Sequence, residues 1–346
     1  MKPTVFVQAN ARQMIGAKIS AYSYKRNSRR PDDFDVRIMD AADFPRLMRP
    51  GQSILRGGHV RQWDPDDLQS FTPLRFAPPT LMDFKGRALV TDPDCFGVGD
   101  VAELLDRDMQ GKAICAVARP GHNNDPDYIA TSVMLLDCAK LKHWDFEPLL
   151  DGLFGRAFDY IDWVQLKYED RATIGFLEPE WNSFDELNSK TGILHTTKRR
   201  TQPWKAGLPV DYTLRESGPF DVVRRLVNRR YERHPDRNQE AFVYALLAEM
   251  ADAGIVTKDE LVREMAADHI RHDSLDLIEQ YRGWLGPAPA SSGQSRSSSV
   301  STASTALPTG LAAPAARGWS SVPTTRFPSR LAQTARRSGR GGRRSP

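Results

Sequence analysis

Several things are scarce or missing in this chain, and each absence excludes something. Cysteine is rare: Cys95, Cys115 and Cys138 are an odd number with no CxxC spacing, which suggests neither a disulfide framework nor a zinc cluster. No stretch approaches the ~20 apolar residues that a membrane-spanning helix needs. The opening MKPTVFVQANARQ lacks the apolar core and cleavage site of a secretory signal. A reducing, cytoplasmic setting is therefore expected. Glycine is absent from Gln8-Ala9-Asn10-Ala11, directly after the first apolar run, where a nucleotidyltransferase usually carries a Gly-rich phosphate loop. Acidic residues vanish from 287–346, which hold nine arginines and no Asp, Glu or Lys. Without that segment, residues 1–286 carry a net charge of −5. A specific nucleic-acid partner for this mildly acidic part loses its electrostatic basis.

What remains divides into three parts. Residues 1–212 alternate strand-like and helix-like segments: Thr4–Gln8 as a strand, Ala11–Lys25 as a helix, Val36–Met39 and Ala88–Thr91 as strands. That alternation predicts an α/β fold with a doubly wound, mostly parallel sheet. Val133–Leu136 reads as a central buried strand. Residues 213–286 read as a helical appendage, with helices over Phe220–Arg230, Asn238–Ala253 and Lys258–Ile270. Gly254 stops the second helix, and Thr257 with Glu260 caps the third. Residues 287–346, rich in Ser, Ala, Pro and Arg, read as a disordered tail. That tail is either a spacer or a basic extension making weak contact with an anionic membrane surface or nucleic acid.

The chemistry concentrates in FKGRALVTDPDCFGVGDVAELL, Phe84–Leu105. An apolar strand runs into Asp92-Pro93-Asp94, and in a regular strand residues i and i+2 share a face. Two carboxylates then stand together at the C-terminal end of a buried strand, where open α/β sheets bind ligands. Carboxylates held close repel unless a cation lies between them, and hard oxygen donors favour Mg2+ or Mn2+. Asp100 and Glu103 have capping-box spacing and are assigned to a helix start instead. A second polar cluster runs from Trp181 to Lys205. There His195 ends the apolar run Gly192-Ile193-Leu194, and Lys198, Arg199, Arg200 and Lys205 follow. A diphosphate ligand would use both features, a further metal ligand and positive charge against the departing phosphate.

Five blocks in this order resemble glycosyltransferase family 8, the glycogenin and lipopolysaccharide-galactosyltransferase type, over roughly residues 4–206. They are VFVQANAR (Val5–Arg12), Arg75 in FTPLRFAPPTL, VTDPDCFGVGDVAEL, SVMLLDCAKL (Ser132–Leu141), and the closing segment PEWN, LH and QPWK. The resemblance implies a GT-A nucleotide-sugar-binding fold for 1–212. It implies donor contacts from Val7, Gln8, Ala9, Asn10, Arg12, Arg75, Asp92, Pro93 and Asp94. It implies Mn2+ or Mg2+ held by Asp92, Asp94 and His195, with Lys205, and then Lys198, over the diphosphate. The activity implied is hexose transfer, with retention, from a UDP-sugar to a carbohydrate or glycoconjugate acceptor. The chain departs from the family at two places. Ala130-Thr131-Ser132 stands where the family has Asn-Ser-Gly, and no intact Asp-Gln pair is found. The nearest counterpart of that pair is Tyr160–Gln165, with Asp162 as its carboxylate. Two other readings stay open: a non-catalytic nucleotide-sugar-binding protein that kept the fold, and a sugar nucleotidyltransferase.

Overall fold

The computed structural model describes residues 1–67, 70–211 and 230–290. In chain order, β1 (Thr4–Ala9) leads through a short 3-10 turn into helix α1 (Met14–Arg26) and β2 (Asp35–Asp40). The hairpin β3 (Ser53–Arg56) and β4 (His59–Gln62) and the short α2 (Pro78–Leu81) follow, then β5 (Arg87–Thr91), β6 (Cys95–Gly97) and α3 (Val101–Leu105). Next come β7 (Ile114–Ala118), β8 (Ile129–Asp137), α4 (Phe146–Phe154), α5 (Tyr160–Val164) and β9 (Ile174–Leu177). β10 (Ser183–Phe184) and β11 (Ile193–His195) precede three helices, α6 (Arg237–Asp252), α7 (Lys258–Ala266) and α8 (Ser274–Tyr281).

Six strands form one sheet in the order β2-β1-β5-β8-β7-β9. Five run in one direction, and β8 alone is reversed, pairing antiparallel with β5 and β7. The expected mixed, mostly parallel α/β sheet is therefore what the chain builds. Alternation along each strand feeds two cores. Val5, Val7 and Ala9 point to the face covered by α1 and α3, where Ala17, Tyr24, Leu104 and Leu105 pack. Phe6, Met134 and Leu136 point to the opposite face, against Trp144, Leu150, Tyr160 and Trp163.

The reversal of β8 matters for function. Its N-terminal end lies beside the C-terminal ends of its neighbours, so Thr91 pairs with Val133 and Ser132 arrives at the ligand-binding end of the sheet. A second, small sheet, β10-β11-β6, closes over the same end.

The helix expected over Ala11–Lys25 is α1 with its preceding turn, and Gly254, at φ +67°, lies just past the end of α6. Both expected caps form at their N-cap residues. Asp100 accepts from the Ala102 amide at 3.1 Å and Thr257 from the Glu260 amide at 3.1 Å. The reciprocal halves of the two boxes do not form. Glu103 pairs with Arg29 and Glu260 with Lys18, because a full charge nearby outbids a backbone amide. The helix read over Phe220–Arg230 lies almost wholly outside the described residues, and so does the tail beyond residue 290.

The C-terminal helices share a core with the rest of the chain. Ile15 and Ile19 of α1, Phe96, Leu194 and Trp204 pack with Phe242, Val243, Leu246, Leu247 and Met250 of α6. Ion pairs rim this contact: Arg26 meets Glu249 at 2.9 Å, and Lys18 meets Glu260.

Candidate active site

β5 ends at Thr91, one residue before the first carboxylate. Asp92-Pro93-Asp94 forms a turn closed by the Cys95 amide on the Asp92 carbonyl at 3.2 Å. This corrects the expectation of two carboxylates on one strand face. Pro93 has no amide to donate, so the chain leaves the ladder before Asp94, and the two side chains go to different partners. The turn presses against α1. A Cβ on Gly16 would sit 2.9 Å from the Pro93 carbonyl oxygen and 3.1 Å from the Trp204 ring, so only glycine lets the helix come this close.

Asp92 is buried and already answered. Arg75 grips it with a fork, Nε to Oδ1 at 3.1 Å and Nη2 to Oδ2 at 2.5 Å, and Gln8 Nε2 donates to Oδ1. The third arm of Arg75 donates to Thr131 Oγ1 at 2.8 Å, and Thr131 in turn donates to the Val164 carbonyl. Burial alone would lower the pKa of Arg75, but the Asp92 carboxylate more than offsets it and holds the guanidinium charged.

Asp94 faces a different environment. Gln202 Nε2 donates to its Oδ2 at 3.1 Å, and His195 Nε2 stands 3.5 Å from its Oδ1. The other ring nitrogen of His195 fixes the tautomer. Nδ1 lies 2.9 Å from Asn182 Oδ1, an atom that only accepts, so Nδ1 carries a hydrogen and, in the neutral ring, Nε2 presents a lone pair. Asn182 is itself held by donating to Ser132 Oγ at 2.9 Å. A lone pair thus faces a carboxylate oxygen, and only a cation or a proton between them relieves the repulsion. Burial raises the pKa of Asp94, the positive charge of a protonated His195 pulls it down, and the nearby Asp92 pushes it further up.

Cys95 completes the group. Its Sγ, an Asp94 oxygen and a His195 nitrogen all lie within 4.8 Å of one another, the one such cluster of three among the described residues. The β6–β11 register sets Cys95 directly opposite His195. The donor set of carboxylate, neutral imidazole and thiol fits a divalent metal ion.

The remaining expected residues fall around this centre. Val7, Gln8 and Ala9 end β1, the strand next to β5. Asn10 is buried and donates to Ser70 Oγ at 3.0 Å. Gln8 Oε1 and Gln165 Oε1 are buried acceptors without a partner, the kind of orphan a bound ligand satisfies. Arg12 lies close enough for its charge to act on Lys205. Lys205 departs most from expectation. In place of a flexible cationic loop, its side chain is 0% exposed, with Nζ 2.5 Å from Asp211 Oδ2. Burial lowers its pKa, and Asp211 draws it back up. Trp204, packed against Phe96 and Gly16, carries the neighbouring lysine inside. Lys198 is exposed, and its amide binds Asp185. Asp162 sits in the first turn of α5 and pairs with Lys167 at 3.1 Å, apart from Asp94 and His195.

Sequence reasoning gave no role to Cys95, Ser132, Asn182 or Gln202. All four lay inside blocks that had been singled out, Cys95 in VTDPDCFGVGDVAEL and Gln202 in QPWK, but nothing in the local pattern marked their side chains.

No family model and no curated protein matches the chain. Among solved structures, it is similar to the glycosyltransferase GlyE of Streptococcus pneumoniae TIGR4 at 15% identity and TM-score 0.42, over 59% of this chain and 56% of that one. It is similar to the bifunctional glycosyltransferase WbbM at 15% identity and TM-score 0.40, over 59% and 47%. The galactosyltransferase LgtC, bound to donor and acceptor sugar analogues, aligns at 12% identity and TM-score 0.41, over 58% and 89%. The chain spans about half the length of the first two. Scores of this size leave function to be argued from the site itself.

Proposed function

We propose that this chain is a metal-dependent glycosyltransferase of the GT-A, family 8-like kind, moving a hexose from a UDP-sugar to a carbohydrate or glycoconjugate acceptor with retention of configuration. One observation carries the proposal: His195 Nε2 set 3.5 Å from the Asp94 carboxylate, at the strand ends where α/β sheets bind ligands. Asp94 and His195 hold the Mn2+ or Mg2+, and Asp92 joins them where Arg75 releases it. The metal supplies Lewis acidity, neutralising charge that builds on the departing diphosphate.

The chain's own groups do the rest. Gln8, Asn10 and Arg12, with Val7, Ala9 and Pro93, line the nucleotide. Arg75, steered by Asp92 and Thr131, brings a fixed positive charge to the donor. Lys205 exchanges Asp211 for a phosphate oxygen, Lys198 assists from the surface, and Asp162 orients a sugar hydroxyl. Thr131 and Ser132 stand where the family carries Asn-Ser-Gly. Here they hold Arg75 and Asn182, a positioning role that supports the same reading.

One observation favours the rival reading of a binding protein without turnover: Lys205 and Asp92 are both already neutralised within the chain. A single assay separates the two. Purified protein is incubated with Mn2+ and a panel of nucleotide-sugars, and free nucleoside diphosphate is measured. The expected result is release from one donor, abolished by chelator and reduced about 10²–10³-fold in Asp94→Asn, the scale of losing one preorganised electrostatic group. Donor affinity without release sinks the enzyme reading, and release indifferent to chelator sinks the metal.

A further inference from the structure

We propose that Cys95 sets the cation preference of this site. With Asp94 and His195 it makes a carboxylate–imidazole–thiol pocket that takes a borderline, zinc-class divalent ion in preference to Mg2+. The inference rests on Asp94 and His195 being metal ligands, and goes beyond that reading, which needs only hard oxygen and nitrogen donors.

The geometry favours four-coordinate binding. Bonds of about 2.0–2.2 Å to nitrogen and oxygen at a tetrahedral angle put those two donors roughly 3.4 Å apart. His195 Nε2 and Asp94 Oδ1 are 3.5 Å apart, close to that spacing. Cys95 and His195 are direct cross-strand partners, so their side chains leave the small sheet on the same face. The thiol, within 4.8 Å of the other two donors, reaches tetrahedral spacing by a shift of about 1 Å. Its one hydrogen-bond contact among the described residues is the Ser132 carbonyl at 3.8 Å, a weak tie to give up.

The chemistry explains why such a residue is harmless without a metal. Cys95 is wholly buried, where a thiol packs as a small apolar group. A metal ion binding there forms the S–metal bond, and the displaced proton goes to solvent. Thiolate selects zinc-class ions, whereas Mg2+ keeps oxygen ligands and water. Asn182 holds a proton on the far nitrogen, so in the neutral ring Nε2 is the atom that faces the metal.

The test uses the full chain and Co2+ as a spectroscopic probe. The wild type should develop the near-ultraviolet thiolate-to-cobalt charge-transfer band on titration. Cys95→Ser should still bind Co2+ by calorimetry without that band. Its Zn2+ affinity should fall at least about tenfold relative to its Mg2+ affinity, the least that losing a supporting group costs a metal site. Co2+ bound by the wild type without the band overturns the role of Cys95 and leaves Asp94 and His195 standing. An unchanged Zn2+/Mg2+ ratio in Cys95→Ser overturns it too. No Co2+ binding by the wild type overturns the metal reading beneath. Should Cys95→Ser fail to fold, the wild-type spectrum alone decides.

Discussion

Arg271 is a buried charged group and Asp94 a largely buried one, and the chain surrounds them in contrasting ways. Arg271, among the C-terminal helices, meets Glu240 at 2.6 Å and both oxygens of Asp273 at 2.6 Å, and Glu240 takes a further bond from Tyr281. Burial would lower its pKa, yet those acceptors hold it well above the usual arginine value. Every arm is answered from within. Asp94 has one amide donor and, on its other oxygen, the lone-pair side of an imidazole. The first arrangement is complete as folded; the second calls for something more. Burial alone does not mark a functional charge. The mark is an acceptor aimed at another acceptor.

The contrast can be broken from either end. Glu240→Ala should cost the most stability, about 1–3 kcal/mol by urea unfolding, because it leaves one buried arm of the Arg271 guanidinium unanswered while Asp273 still holds the other two. Cation affinity of the molecules that still fold should not move. Lys205→Met comes next and asks to which class that lysine belongs. Service to a diphosphate predicts kcat down about 10²–10³-fold with a smaller change in donor KM. A purely structural pair with Asp211 predicts lost stability and unchanged kcat. Asn182→Ala frees the His195 tautomer and should weaken Mn2+ binding about 10–100-fold by calorimetry, the range for an outer-sphere partner; unchanged affinity would mean the imidazole is not a ligand. Lys198→Ala should be smallest, within about a factor of two in turnover, since exposed charges contribute little.

Much of this was legible before the fold was known. Apolar runs placed β1, β2, β5 and β8, and Asp-Pro-Asp after a buried strand located the carboxylate turn. Gly254 and Thr257 marked real helix ends. Other features left no local trace. β6 and β11 are three residues each, too short for periodicity to register, and their pairing joins Cys95 to His195 across a hundred positions. The burial of Lys205 depends on Trp204 packing against α1 and the late helices, a tertiary contact that overrides the loop-like composition around it. The turn at Asp92 went unread because alternation within a strand was carried past the strand's end at Thr91, through to Asp94.

Gly16 links these matters to the order in which the chain is made. The helix that braces the Pro93 carbonyl is synthesised early, but the core around its apolar stripe, Ile15 and Ile19, is completed only by residues from 242 onward. A ribosome-bound chain can zip β1 to β5 long before α6 exists. The carboxylate turn then rests on a helix whose apolar side is only partly covered, and gains its full backing as the final helices emerge. Nascent-chain arrest just before residue 242 should therefore yield a formed sheet with a loose carboxylate turn.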